Sequence, residues 1–228
     1  MPVGELNFAV PTLFGLEGLC ADEIRRLGLP SVQAENGRVL CTGTEGDLPR
    51  LNLNLRTGER VLLVLGTFPA GNFDALFEGT RALPWERFIP REGQFPVKGH
   101  SLNSALHSVP ACQSIVKKSV AARLGEAYGL NTLPETGALY QIQFAIMKDT
   151  ATLMLDTSGA GLHKRGYRAQ GVIAPLRETL AAAMVLLSRY RGRDPLCDPF
   201  CGSGTIPIEA ALIAKNRAPG LNRTFSAQ

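Results

Sequence analysis

The sequence predicts an α+β protein that ends on a single α/β unit, and three observations predict it. Strand-like and helix-like stretches alternate over residues 1–58 in the order βαββα. A longer mixed stretch, 59–160, closes on two apolar runs, Tyr140–Met147 and Ala151–Asp156, joined only by Lys148-Asp149, which is the pattern of an antiparallel pair. The third observation is Asp198–Thr205, DPFCGSGT, entered from Pro195–Cys197 and followed by Ile206–Ile213, whose apolar spacing is helical. That order describes a strand, a tight glycine turn and a helix start.

Leu6–Val10 reads as the first strand. Leu16–Leu27 places Leu16, Leu19, Ile24 and Leu27 at helical spacing before Gly28 and Pro30 end it. Glu17, Asp22 and Glu23 form the solvated face of that helix. Asn36-Gly37 between two short alternating runs predicts a hairpin with a type I′ turn, and Thr44 is placed to cap a helix over Asp47–Leu55. Arg60–Phe68 is almost continuously apolar and predicts a buried strand, with a helix around Phe73–Leu83 after it. Trp85 suits either a packed lid or a base-stacking platform. Gln94–Gly99 predicts another strand. Ile115, Val116, Val120 and Leu124 mark the inner side of a helix over Ser114–Tyr128, from which Lys117, Lys118 and Arg123 project elsewhere.

Composition excludes several classes. With 45% hydrophobic and 19% charged residues the chain is globular in type, and it contains no run of eighteen apolar residues and no basic-then-apolar N-terminus. Its five cysteines are odd in number and scattered, which argues against a disulfide framework and for a reducing cytoplasm. Cys197 and Cys201 lack zinc-site spacing and read as small packing residues, so no metal is expected. The net charge of +4 is patterned, with an excess of five positive charges in 79–123 and again in 155–228, against net negative charge in 1–78 and 124–154. Such blocks suit particular faces that meet nucleic acid, or solvated helix faces that bind nothing.

The glycine turn carries the chemistry. Gly202 and Gly204 let a ligand approach the backbone, and the N–H groups of the helix start suit a carboxylate or phosphate. Asp198 repels a diphosphate but accepts from an ammonium group, so a ligand with both charges, such as an amino acid, fits better. A P-loop needs a lysine after Gly204, and the dinucleotide fingerprint needs glycine where Pro207 stands. Both motifs fail. In LHKRGYRAQG, the cations Lys164, Arg165 and Arg168 flank Gly166 and Tyr167, which suits either phosphate contact with base stacking or an interdomain strand whose arginines pair with carboxylates. Pro175 sits well as the first residue of a helix over Leu176–Ser188.

DPFCGSGT resembles the first motif of class I S-adenosylmethionine-dependent methyltransferases, in the form found in enzymes that methylate exocyclic amines of nucleic-acid bases. Phe95–Leu124, FPVKGHSLNSALHSVPACQSIVKKSVAARL, resembles the core of a THUMP domain, an RNA-binding module. The series continues through LDTSGAGLHKRGYR and APLRETLAAAM into DPFCGSGTIPIEAALIA, and in that order it resembles the bacterial THUMP-containing rRNA guanine-N(2)-methyltransferases. The resemblance implies a ferredoxin-like N-terminal domain over 1–58, a THUMP domain over 59–160, and over 161–228 a linker with the first βα unit of an incomplete Rossmann-like methyltransferase domain. It implies S-adenosylmethionine as cofactor, held by Asp198, Pro199, Phe200, Gly202, Ser203, Gly204 and Thr205 with Pro175 and Glu178 beside them. Large-subunit ribosomal RNA is the implied partner, met by Lys117, Lys118, Arg123, Lys164, Arg165 and Arg168.

The second motif of the amine-methylating enzymes, Asn/Asp-Pro-Pro-Tyr/Phe, receives the target amine, and no Pro-Pro occurs in these 228 residues. Only 23 residues follow Thr205, too few for a doubly wound sheet. The expectation is therefore a portion of a methyltransferase that is inactive by itself, with its segment 174–228 either loosely packed or supported by contacts to the rest. The alternatives are a stand-alone RNA-binding protein with a vestigial methyltransferase end, or a DNA adenine methyltransferase.

Overall fold

The computed structural model describes residues 4–168 and 175–226. The chain forms two compact units, one made of residues 1–62 with 157–228 and the other of 63–156. In the first, β1 (Leu6–Pro11), α1 (Glu17–Arg26), β2 (Gln33–Glu35), β3 (Arg38–Gly43) and α2 (Asp47–Asn54) follow the expected βαββα order. The three strands are antiparallel in the order β2-β3-β1, with Phe8 opposite Cys41 and Val10 opposite Val39. Alternate residues of β3 are buried, and Phe8, Val10, Val39 and Cys41 from the sheet meet Cys20, Ile24, Leu51 and Leu55 in one core. Burial pushes the Cys41 thiol up to about 12 and raises Cys20 as well, so both behave as small apolar residues. All five cysteines are free, and Cys197 and Cys201, expected to pack, are exposed.

Acidic residues of α1 depart from the solvated face expected of them. Glu17 accepts the N–H groups of Gly15 and Gly37 at 2.8 Å each, and the Gly37 bond above all holds its carboxyl below the usual range. Glu23 accepts from the Arg56 and Thr57 amides at 3.1 and 3.0 Å and from the Thr57 hydroxyl, while burial pushes its carboxyl up. Only Asp22 is exposed as expected, beside Arg25. In the β2–β3 turn Gly37 takes φ 75° but Asn36 stays out of the left-handed region, so the turn is not type I′. The N-cap of α2 is Gly46; Thr44 instead donates its N–H and hydroxyl to Asp47 at 2.9 Å each.

The second unit holds β4 (Leu62–Pro69), α3 (Phe73–Arg81), β5 (Val97–Leu102), α4 (Val109–Tyr128), β6 (Ile142–Met147) and β7 (Thr150–Asp156). Its strands lie in the order β4-β7-β6-β5, with β6 antiparallel to β7 and parallel to β5. β4 is buried only at its start, because its later residues alternate toward solvent. The type I′ geometry appears at Lys148 (φ 49°) and Asp149 (φ 57°), where the Asp149 carboxylate accepts from Ser104 Oγ and the Ala105 N–H at 2.7 Å each. α4 starts five residues earlier than its apolar spacing suggested, with Pro110 in its first turn; it buries Cys112, Val116, Ser119, Val120 and Leu124 and leaves Ile115 half-buried. Trp85 is fully buried and donates its indole N–H to the Thr80 carbonyl at 2.7 Å, so it is core and not a stacking platform.

After β7 the chain returns to the first unit and forms α5 (Glu178–Leu187) and α6 (Thr205–Ala214), which pack on each other. Pro195–Cys197 is not a strand, since a strand needs a neighbouring backbone ladder and none lies beside it among the described residues. The C-terminal segment is held by the N-terminal one. Arg56 donates to the Arg217 carbonyl at 2.8 Å, the Gly220 N–H donates to Leu53 O at 2.9 Å, and a Cβ on Gly220 would come within 2.8 Å of the Leu53 backbone. Among the described residues no helix is long and apolar enough to cross a membrane.

Candidate functional site

DPFCGSGT forms a tight turn on the N-terminus of α6. The Phe200 N–H donates to Asp198 Oδ1 at 3.1 Å, and the Gly204 N–H closes the turn on the Cys201 carbonyl at 2.7 Å. Gly202 and Gly204 take φ 51° and 74°, and Gly204 is the N-cap of α6. A Cβ on either would meet nothing closer than 3.8 Å, so the backbone conformation, not crowding by protein, requires glycine there. No side chain caps α6, which leaves its first N–H groups and the positive end of its dipole to a ligand. Pro199 and Ser203 are exposed, and Phe200 is 93% exposed beside them.

Two arginines of the linker hold this turn from behind. The Arg168 guanidinium donates to Glu178 Oε1 at 2.6 Å, to Ser203 Oγ at 3.1 Å and to Thr205 Oγ1 at 2.7 Å. It thereby joins the start of α5 to both hydroxyls of the turn. Arg165 is 2% exposed and donates to the carbonyls of Leu55, Arg56 and Leu162, with Glu209 Oε1 at 3.5 Å. Glu209, on α6 one turn below the glycines, is fully buried and also accepts from the Tyr167 hydroxyl at 3.2 Å. Burial pushes the carboxyl of Glu209 and the phenol of Tyr167 up, with Arg165 opposing the first shift.

Of the residues singled out from sequence, Lys164, Arg165, Arg168, Pro175 and Glu178 line one cavity of about 450 Å³, while Asp198–Thr205 lie beyond its lining and are reached through Arg168. Ala169–Gly171 of the linker and Ala174 lie outside the described residues. The linker arginines pair with carboxylates and carbonyls, but residues 161–168 form turns and not the interdomain strand of the second reading open to them. On α4, Lys117 bonds Glu135 at 2.5 Å and sits over the Phe95 ring, and Arg123 grips Glu86 with two bonds of 2.6 and 3.0 Å. Only Lys118 of that group is exposed. Sequence reasoning missed Glu209, although a lone charge inside the apolar run IPIEAALIA is the signal of a buried, paired group.

A glycine turn on an uncapped helix is thus tied through the linker arginines to the βαββα layer of residues 1–62. Family models agree segment by segment: the RlmL ferredoxin-like domain matches residues 7–62, the THUMP domain 70–156, and the RMKL-like methyltransferase domain 165–228. In chain order the segments thus match a ferredoxin-like, a THUMP and a methyltransferase domain model. The chain is 48% identical over 213 residues to YpsC of Bacillus subtilis, named as an RNA methyltransferase, covering 92% of this chain and 55% of YpsC. It is 37% identical over 217 residues to the ribosomal RNA large subunit methyltransferase K/L of Syntrophotalea carbinolica, covering 92% of this chain and 30% of that protein. Two solved structures superpose closely. One, from Listeria monocytogenes and described as an N6-adenine-specific DNA methylase, is 50% identical with a TM-score of 0.94, over 98% of this chain and 59% of that one. The other, SMU.472, a methyltransferase structure complexed with SAH, is 42% identical with a TM-score of 0.93, over 100% of this chain and 60% of that one. The chain thus spans about half the length of the first relative and less of the second.

Proposed function

We propose that this chain forms the RNA-binding and partial cofactor-binding portion of an S-adenosylmethionine-dependent methyltransferase acting on the exocyclic 2-amino group of guanine in large-subunit rRNA, in the cytoplasm. The observation that carries the reading is the open glycine turn on the uncapped N-terminus of α6, placed after a THUMP domain. The residues fit the group. The α6 amides suit the carboxylate of the amino-acid end, and Asp198 Oδ2, unused by the Phe200 bond, suits its ammonium. When bound, S-adenosylmethionine supplies an electrophilic methyl group. Arg168 keeps Ser203 and Thr205 in register with Glu178, so the turn is preorganised. The K/L name of the relative from Syntrophotalea carbinolica and the SAH in the SMU.472 structure support substrate and cofactor.

The 228 residues by themselves are proposed to be inactive, because no Asn/Asp-Pro-Pro-Tyr/Phe segment is present to receive an amine. The test incubates the full gene product with radiolabelled S-adenosylmethionine and undermodified large-subunit rRNA, then digests the RNA to nucleosides. Label on guanine N2 is the expected result. Label found only on adenine of a DNA substrate would replace RNA by DNA, and transfer by residues 1–228 at the rate of the full product would overturn the inactivity.

A further inference from the structure

We propose that a cleft of about 770 Å³ in the first unit takes a single-stranded segment of the RNA, with phosphates on Arg26, Arg189 and Arg191 and an unpaired base on Tyr190. The inference rests on the RNA reading above and says where on this chain the strand lies. The cleft is bounded by the ends of α1 and α2 on one side and by the residues just after α5 and α6 on the other. Its size falls in the range of pockets that enclose a nucleotide-sized ligand.

Charge points the same way. Arg26, Arg189 and Arg191 are exposed, and none has an ion pair or side-chain hydrogen bond among the described residues. Arg56 also lines the cleft, with its Nη1 buried and without a hydrogen-bond partner. Among the described residues the only carboxylate in the wall is Glu23, already engaged by the amides of Arg56 and Thr57. Four helix C-termini, those of α1, α2, α5 and α6, border the cleft, each worth about half a negative charge, so arginines there also serve the dipoles. Four guanidiniums against one carboxylate and those four ends still leave an excess of about one positive charge. Arg189 adds an independent sign. It takes φ 61° directly after the C-cap of α5, where glycine is the usual residue and a Cβ carries a conformational cost. An arginine kept there serves its side chain. By contrast Lys117, Arg123, Arg165 and Arg168 are committed to internal partners.

Half-buried Tyr190, between Arg189 and Arg191, supplies a ring of the kind on which a splayed base stacks, which favours a single strand over a duplex.

The test uses the full gene product with a labelled unstructured oligoribonucleotide and a duplex RNA of equal length, titrated over a range of salt. Arg189→Glu with Arg191→Glu is expected to weaken single-strand binding at least about tenfold and to flatten the log–log salt slope by roughly 1.4, two contacts of about 0.7 each. Tyr190→Ala should weaken it by about tenfold with the slope unchanged. Equal slope and affinity in wild type and the double variant overturn the cleft while leaving RNA binding elsewhere intact. A lowered melting temperature with unchanged RNA affinity assigns the cleft to a protein contact instead. Wild type that binds no RNA of either kind overturns this inference together with the RNA reading.

Discussion

Gly204 takes φ 74° as the residue from which α6 starts, and its added Cβ would find ordinary contact distance to Ile208. A Gly204→Val variant is therefore strained by conformation alone, by about 1–2 kcal/mol for an L-residue in the left-handed region, and more for a β-branched one. The turn relieves that strain by changing shape, so calorimetric titration should show S-adenosylmethionine binding abolished while rRNA-fragment affinity is kept. Unchanged cofactor affinity would remove the turn from the site. Behind it, Arg165 and Glu209 are both buried, and deleting one partner leaves the other uncompensated. Arg165→Met should cost about 3–5 kcal/mol in urea unfolding. Glu209→Gln should cost clearly less, because burial already disfavours the charged carboxyl and the amide keeps an acceptor for Tyr167. Equal losses in the two variants would show that the ion pair itself carries the stability and that the Glu209 carboxyl acts charged.

The helix α4 shows where charge read from sequence misleads. Its spacing correctly separated the apolar stripe from Lys117, Lys118 and Arg123, but spacing cannot show that Glu135 and Glu86 arrive from distant positions to meet two of the three. Replacing all three by glutamate sets like charges against Glu135 and Glu86, and should lower the melting temperature by several degrees. Lys118→Glu alone should leave it unchanged and affect only RNA binding; a triple variant as stable as wild type would deny both pairs a structural part. The β6–β7 turn carries a pH signature. Hydrogen bonds from Ser104 Oγ and the Ala105 amide hold the Asp149 carboxyl below its ordinary 3.8. Its contribution is thus full above about pH 3.8 and lost as pH falls through the lower folded value, so wild type and Asp149→Asn should converge in stability in acid and separate near neutrality. A difference independent of pH would mean that the turn does not use the charge. Local signals made elements and turn glycines legible, such as the Lys148-Asp149 link and the apolar run behind Gly204. They could not reveal Glu17, Glu23 or Glu209 as buried or engaged acceptors, because Gly37, Arg56 and Arg165, which engage them, lie 20, 33 and 44 residues away. The strand expected at Pro195–Cys197 failed for the same reason, since pairing is a property of neighbours.

The first unit is discontinuous, with residues 1–62 and 157–228 completing one core, and that fixes how the chain can be cut. Arg165 needs the carbonyls of Leu55 and Arg56, Gly220 seats on Leu53, Asn52 donates its side-chain amide to Thr157 Oγ1, and Glu59 binds Arg177 and Thr179. Residues 157–228 alone carry two short helices whose outward faces include Met184, Leu187 and Ile208, too little to bury a core of their own. The second unit is one continuous segment, 63–156, with four strands under α3 and α4 and a buried set that includes Trp85, Phe95, Leu124 and Phe144. Expressed alone, 63–156 should fold cooperatively, whereas 157–228 should show little helical circular dichroism and no dispersed amide spectrum. Adding a fragment of residues 1–62 in trans should restore dispersion to 157–228, because the contacts it lacks lie there. A segment 157–228 that melts cooperatively by itself would mean that the methyltransferase end is held by its own packing, and the linker arginines would lose the anchoring part given to them here.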